Sequence, residues 1–548
     1  CAFGFQQRSG RALWQLGGHL RRLCTPTGAR FVGDPKRTQG LERVSQPSWK
    51  GIENKDRPTY TVDPDEDFPD ECDALVIGGG AIGCSVAYWL SRQVNCNVVV
   101  VERDPAYTRA ASPLSCGGIR QQFSEPENIQ MSLFGSQFLR NIKENLAVFD
   151  LDPPDICYAP HGYLVLADEA NAETLRTNNQ AQRKLGAKVD LMSPEKMKET
   201  WPWLNVSDIA LGAFGTENEG WFDPYLFLQA LKRKAVSQNV KFVVGELLDF
   251  EFSMQRYVKG DLSFEQERLK AALVKCPDNL VRNINFGVVV NAAGPWAGHV
   301  AHLAGVGDFA GKVKLPVEPR LRYVYHLHCK EDLFPTPLLN CPSGAYLRAE
   351  GPGGHYIAGL RQSVFVVSLP PHAAKKAAAA TPGIDAPFIQ DVASGLHLRR
   401  DGFQGDFVTY VNPPPPLPVD QLSESAVPDE PECNGVDLEP DYDWFDKQVW
   451  PRLAHRVPCM EAVKVRNAWA GFYDYNTFDQ NLVIGRHPFH ENLIFCNGSS
   501  GHGIQHAVAI GRAVSELVLF RQYKTIDLSR MSFERLQTAT RIRETGII

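Results

Sequence analysis

Several absences narrow what this sequence can do. Its thirteen cysteines are scattered from Cys1 to Cys496 and none forms a C-x-x-C pair. That argues against a zinc site and against a disulfide framework, and fits free thiols in a reducing compartment. No run of about 18 apolar residues is free of charge or proline, so no segment has the make-up of a membrane-spanning helix. Beyond the N-terminus there is no basic stripe, and the net charge is −6; a nucleic-acid surface needs clustered cations and is not expected. A P-loop, a serine–histidine–acid arrangement and a metal-ligand cluster are missing as well, so no metal site is expected.

What is present begins with size. At 548 residues, 43% apolar and 22% charged, the chain has the composition of a globular enzyme with two or three domains. Residues 1–33 hold Arg8, Arg11, Arg21, Arg22 and Arg30 and no acid, with Ala12, Leu13, Trp14, Leu16 and Leu20 between them. An Arg-rich, acid-poor, amphipathic start predicts a mitochondrial presequence. Residues 34–70, rich in Pro, Asp and Lys, read as a linker. Residues 366–436 hold Pro370-Pro371, Ala377–Ala380, four prolines at 413–416 and an acidic, serine-containing tract. Such composition cannot bury enough apolar area to offset its ordering entropy, which predicts a disordered low-complexity insertion, with a gene-model error as the alternative.

The clearest local signal is a βαβ unit. Ala74–Ile77 is a short apolar run suited to a buried parallel strand, Ser85–Gln93 has helical spacing, and Val98–Val101 is a second buried strand. Between the first two lies Gly78-Gly79-Gly80-Ala81-Ile82-Gly83, a G-x-G-x-x-G. Gly78 makes the tight turn, Gly80 lets the backbone approach a pyrophosphate, and Gly83 permits close helix–strand packing. The pyrophosphate then rests on the helix N-terminus, where free N–H groups and the dipole favour anions. Nineteen residues past Gly83, Glu102 ends the second strand; an acid there suits a ribose and excludes a 2′-phosphate, so NADP is disfavoured.

Further along, helices are predicted over 128–150, 171–185, 224–237 and 504–520. Strands are predicted over 163–167, 240–244, 288–291, 321–327 and 493–496.

FAD and NAD share the glycine fingerprint, and three more motifs decide between them. Ser112-Pro-Leu-Ser-Cys-Gly-Gly-Ile-Arg120 resembles the segment that the D-amino-acid oxidase superfamily runs beneath its flavin. Val288-Val-Val-Asn-Ala-Ala-Gly-Pro-Trp-Ala297 is similar to that superfamily's strand-to-turn motif. The stretch from Gly485 to Gly511, with "NGSSGHGIQHAVAIG", resembles the C-terminal motif of sarcosine oxidases and dimethylglycine dehydrogenases. The segments "DALVIGGGAIG", "WAGFYDYNTFDQN" and "SGHGIQ" carry a closer likeness, to a mitochondrial branch described as serving assembly of respiratory complex I.

The resemblance implies an α/β fold: a Rossmann-type FAD-binding domain from 71–155, 206–315 and 466–530, with a smaller mixed-sheet substrate domain from 156–205 and 316–465. It implies a cofactor shell of Gly78, Gly79, Gly80, Ala81, Ile82, Gly83, Glu102, Arg103, Ser112, Ser115, Gly117, Gly118, Val244, Ala293, Gly294, Trp296, Gly501, His502, Gly503, Ile504 and Gln505. The turn at Gly501–Gly503 would set a helix N-terminus against the flavin N1–C2=O edge, stabilising the reduced ring's negative charge. Candidates beside a C–H donor are His502, Tyr473 and Gln505, with Tyr475 and Tyr346 behind them.

Two departures from the amine-oxidising relatives matter. Those relatives hold the substrate carboxylate with two basic side chains, and the matching positions here are Phe123 and Gln505. Neither supplies a charge-assisted contact to an anion, so a small amino-acid substrate is disfavoured unless Arg320 or Arg322 takes over. Their covalent flavin links use a Cys matching Gly471–Tyr475 or a His near Cys116, and neither is present, so non-covalent FAD is expected. The resulting expectation is an FAD-binding protein of the mitochondrial matrix, or of the matrix face of the inner membrane. Its partners would be complex I subunits or assembly intermediates. The alternative is a catalytic dehydrogenase or oxidase of a small amine or N-methyl amino acid.

Overall fold

The computed structural model describes residues 62, 68–92, 96–259, 262–308, 311–360 and 438–545, side chains at 256–267 excepted, and strand backbones at 366–368, 388–391, 396–401 and 406–411. The expected presequence lies outside these residues, as does the linker apart from 62 and 68–70.

The βαβ unit is β1 (Glu71–Ile77), α1 (Ala81–Ser91) and β2 (Val98–Glu102), with β1 and β2 parallel and Ile77 beside Val101. The sheet grows by β3 (Lys241–Val244), β4 (Val281–Asn291), β5 (Val483–Arg486) and β6 (Leu493–Asn497), in the order β5-β6-β4-β1-β2-β3. Period-2 alternation sends Leu75, Ile77, Val99, Val101 and Val289 to a core on one face. Ala74, Val76, Val98, Val100, Val288 and Val290 go to a core on the other. Burial on both sides is why these strands are continuous apolar runs.

The second of these faces is covered by α1 and the long α3 (Gly503–Phe520), and α2 (Pro126–Arg140) packs against α3. At its crossing with α1, α3 carries Gly511, where a Cβ would come within 2.2 Å of Ser85 Oγ. Trp89 Nε1 donates to the Val508 carbonyl at 2.9 Å across the same contact. Among the described residues no helix is long and apolar enough to cross a membrane.

The second sheet is mixed, with the strand order 464–476, 317–328, 355–360, 345–349, 338–340, 163–167, 211–215, 189–192. Leu211–Gly215 pairs with Tyr163–Ala167 and buries Leu211 and Ala213 in the core of this sheet. Leu211–Gly215, within the expected 206–315 segment, thus joins this sheet, as does the strand Lys464–Asn476, which runs across the expected boundary at 466. A hairpin of Glu246–Lys259 and Leu262–Lys275, which no sequence pattern predicts, extends the first sheet from β4. Within 366–436, expected to be without regular structure, the described residues form a four-stranded antiparallel sheet. Its longest strands, Leu396–Asp401 and Asp406–Val411, carry alternating Leu and the Phe-Val-Thr-Tyr-Val run that favour extended backbone. The rest of that insertion lies outside the described residues.

Candidate functional site

The carboxyl ends of β1, β2 and β4 meet at the glycine turn. Gly78 has φ +100°, and a Cβ on it would lie 2.5 Å from the Ala292 carbonyl oxygen. A Cβ on Gly83 would lie 1.9 Å from the Gly78 oxygen. Both glycines are thus required by space as well as by the turn. Gly80 is extended, and a Cβ there would meet Ser112 Oγ at an ordinary 3.4 Å. Its hydrogen matters only to what approaches from outside.

Gly79 N–H donates to Glu102 Oε2 at 2.7 Å, and Asp104 N–H to Oε1 at 2.9 Å. Burial pushes the Glu102 carboxyl above its ordinary pKa, yet each oxygen keeps a lone pair for a ribose hydroxyl. Ser112 Oγ accepts from Ala81 N–H at 3.0 Å, so Ser112 stands at the mouth of α1. The first turn of α1 carries no acid and Gly80 gives no side-chain cap, leaving donors for an anion. Ile82 points toward α3. Val244 pairs in register with Glu102 and is 38% exposed at the same edge.

The far side of the groove is Ala293–Trp296. Ala293 N–H is held by Asn291 Oδ1 at 3.2 Å. Gly294 has φ +54° with nothing within 4 Å of a Cβ, so its glycine serves the turn and leaves open space above it. Arg103 lies 4.0 Å over the Trp296 ring and within 3.7 Å of Glu246. The Trp296 indole N–H is buried and has no acceptor among the described residues. A buried donor left unmade costs about 1–3 kcal/mol, which suits a ligand acceptor.

The segment at 112–120 is pinned between the two sheets. Ser115 Oγ accepts from Gly117 N–H at 3.3 Å, and Leu114 accepts from Trp469 Nε1 at 2.9 Å. Gly117 has φ +68° and touches the Phe222 carbonyl; Gly118 pairs with Trp221. Cys116 is a free, half-buried thiol.

The second helix N-terminus is that of α3. Gly501 has φ +95°, with the Tyr473 ring 3.5 Å from a Cβ placed there. A Cβ on Gly503 would strike Ser499 Oγ at 2.5 Å and Ile82 at 3.4 Å, so the starts of α1 and α3 abut. Asp474 sets the turn, accepting from Ser499 N–H and Oγ at 2.9 Å each. Ile504 packs beside Ala81 and Ile82. His502 is the N-cap residue of α3, with no capping bond from its side chain; its buried ring stands edge-on to Phe123 at 5.0 Å.

Of the expected catalytic trio, His502 and Tyr473 border the Gly501 turn and Gln505 does not open onto it. Gln505 is buried, and its Oε1 accepts from Arg120 N–H at 2.9 Å and from Ser132 Oγ at 3.4 Å. Its part is to tie α3 to the 112–120 segment. Tyr473 accepts from Arg322 Nη2 at 2.6 Å, with that guanidinium 4.4 Å over its ring. Tyr475 lies 5.9 Å away under Arg320, which pairs with Glu318. Among the described residues no group of three His, Cys, Asp or Glu is placed to hold a metal.

One buried acid near the site has no motif to mark it in the sequence. Glu219 is buried, accepts from Gln121 N–H at 2.6 Å and Gln122 Nε2 at 2.8 Å, and is pushed up to about 7 by burial. Beside it, Arg120 is buried between Phe123 at 4.6 Å and Tyr163 at 5.4 Å. In the sequence Glu219 sits in Thr-Glu-Asn-Glu-Gly, which looks like any solvated loop. Its raised pKa gives a signed expectation. Between 4.5 and 7 the folded chain holds a proton that the unfolded chain has lost, so stability falls as pH rises through that window and levels off above it. The total is roughly 3 kcal/mol. Glu219→Gln should flatten this slope in urea unfolding at pH 5 and pH 8; an unchanged slope would acquit Glu219 as its source.

The family model described as FAD dependent oxidoreductase matches residues 73–517. The chain is 40% identical over 523 residues to FAD-dependent oxidoreductase domain-containing protein 1 of Xenopus laevis, covering 93% of this chain and 91% of that one. It is 42% identical over 492 residues to the Bos taurus protein of the same name, covering 88% of each. Among solved structures, L-proline dehydrogenase from P. horikoshii superposes with a TM-score of 0.61 at 21% identity, over 87% of this chain and 100% of that one, a likeness of fold.

Proposed function

We propose, from the premise that this chain belongs to the FAD dependent oxidoreductase family, that it is a mitochondrial matrix flavoprotein serving assembly of respiratory complex I. FAD is its cofactor, and the residues fit it. The start of α1 offers N–H donors to a pyrophosphate, Glu102 offers acceptors to a ribose, and the Trp296 indole waits for an acceptor. When bound, FAD supplies an acceptor for two electrons. The chain's own part is to orient it and to set the α3 N-terminus against developing negative charge. With no cysteine between Cys459 and Cys496, the attachment is non-covalent.

One observation carries the assembly reading over a plain amine oxidase. At the two positions where amine-oxidising relatives place basic side chains, Phe123 and Gln505 are buried and committed to His502, His506, Arg120 and Ser132. The basic, amphipathic first 33 residues support the location. A second reading, oxidation of a small amine, is favoured by the Arg322–Tyr473 pair at the Gly501 turn, which sets a cation where a carboxylate could bind.

Anaerobic titration separates the two. On the assembly reading, purified protein keeps its flavin absorbance with sarcosine, dimethylglycine, proline and NADH. It also restores complex I when returned to cells lacking it. Rapid bleaching by one of the amines, slowed by Tyr473→Phe, would establish the second reading instead.

A further inference from the structure

Residues 541–545 cross the junction between the two domains and are held along their length. Ile542 is buried and its N–H donates to Asp479 Oδ2 at 3.0 Å. Glu544 Oε2 accepts from Ser124 N–H at 2.5 Å and Ser124 Oγ at 2.6 Å, while Oε1 accepts from Asn128 Nδ2 at 2.5 Å and Glu125 N–H at 3.3 Å. Thr545 donates its N–H to Ser124 Oγ at 2.8 Å. Its carbonyl accepts from Asn178 Nδ2 at 2.6 Å, on the Ala172–Lys184 helix of the second domain.

The start of α2 makes no side-chain cap of its own. Glu544 accepts from the N–H of the N-cap residue Glu125 and, more closely, from Ser124 before it and the Asn128 side chain within the first turn, and a carboxylate at a helix N-terminus also gains from the dipole. Glu125 and Glu127 already crowd this end and pair with Arg530. A third carboxylate settles here because its oxygens are met by this many donors.

The residue before Ser124 is Phe123. Its carbonyl is held by Gln182 Nε2 at 2.9 Å, and its ring packs on His502 at 5.0 Å and His506 at 5.2 Å. Strap, turn and the start of α3 thus form one series of contacts. We propose that Glu544 is a positioning residue of the flavin site. By capping α2 it fixes Phe123 against His502 and keeps water from the N-terminus of α3, where a low dielectric strengthens the hold on negative charge. The inference rests on reading that N-terminus as flavin-facing.

The test uses the full chain loaded with FAD, as wild type, Glu544→Gln and Glu544→Asp. The Gln variant should keep stoichiometric FAD and exchange the amides of 124–128 about tenfold faster or more, the loss of one charge-assisted contact. Its flavin midpoint potential should fall toward that of free FAD, and the Asp variant should recover most of both. Faster exchange with an unmoved potential would make the strap structural only and overturn the proposal. Unchanged exchange would overturn the cap itself. If the Gln variant does not fold, Asn178→Ala, which removes only the Thr545 peg, must move both readouts in the same directions or the proposal fails. Wild-type protein that takes up no FAD would defeat the flavin reading instead.

Discussion

Protein carrying Gly83→Val is expected to come off the column colourless, with little folded material. A Cβ at this position would sit 1.9 Å from the Gly78 oxygen and 3.4 Å from Ala292 Cβ, and the nearer obstacle is backbone. No side chain can swing aside. To admit valine, α1 must lift off β1, or the turn that presents Gly79 and Gly80 must unwind. Overpacking of a core costs roughly 1–3 kcal/mol. Losing the cofactor removes a further contribution of about 2.7 kcal/mol if FAD is held at 100 times its Kd. Gly80→Ala is the control, since its Cβ meets only Ser112 Oγ at 3.4 Å. That variant should fold like wild type and lose affinity for FAD alone. Flavin absorbance and thermal unfolding of the two variants decide the matter, and stoichiometric FAD on the valine protein would mean the cofactor does not use this turn.

What could be read from the sequence follows from how far apart the cooperating residues lie. The glycine turn, the four valines of β2 and Glu102 are all within one βαβ unit, so each constrains the next locally. The turn at Gly501 was legible for the same reason. The hairpin over 246–275 was not, because its alternation of Leu, Phe and Val with charged residues gives no continuous buried run. The pairing of Leu211–Gly215 with Tyr163–Ala167 was not legible either, since two helices and a strand lie between them in the chain. Gln505 follows the Gly501 turn and looked catalytic on position alone. Only the contact with Arg120, far away in sequence, turns its amide inward. Glu544 and Ser124 are further apart still, and no local pattern connects them.

The second large effect is expected at Asp479, which gathers the same distant segments. Its carboxylate is fully buried and receives Arg535 Nε at 2.9 Å, Arg535 Nη2 at 3.0 Å, Asn476 Nδ2 at 2.9 Å and Ile542 N–H at 3.0 Å. Asp479→Ala leaves the Arg535 guanidinium buried without its counter-charge, a change that costs about 3–5 kcal/mol. Against a total stability of about 5–15 kcal/mol, that is a large share of the whole, and urea unfolding should show a midpoint shifted well down. Asp479→Leu with Arg535→Met removes both charges together and should cost less than Asp479→Ala, because no lone charge remains. If the double variant were the worse of the two, packing rather than charge would govern this site. A stable double variant would still lack the acceptor for Ile542 N–H, so the strap behind it should loosen. Its amides at 124–128 should then exchange faster although Glu544 is intact, which distinguishes a strap anchored at both ends from one held by its tip.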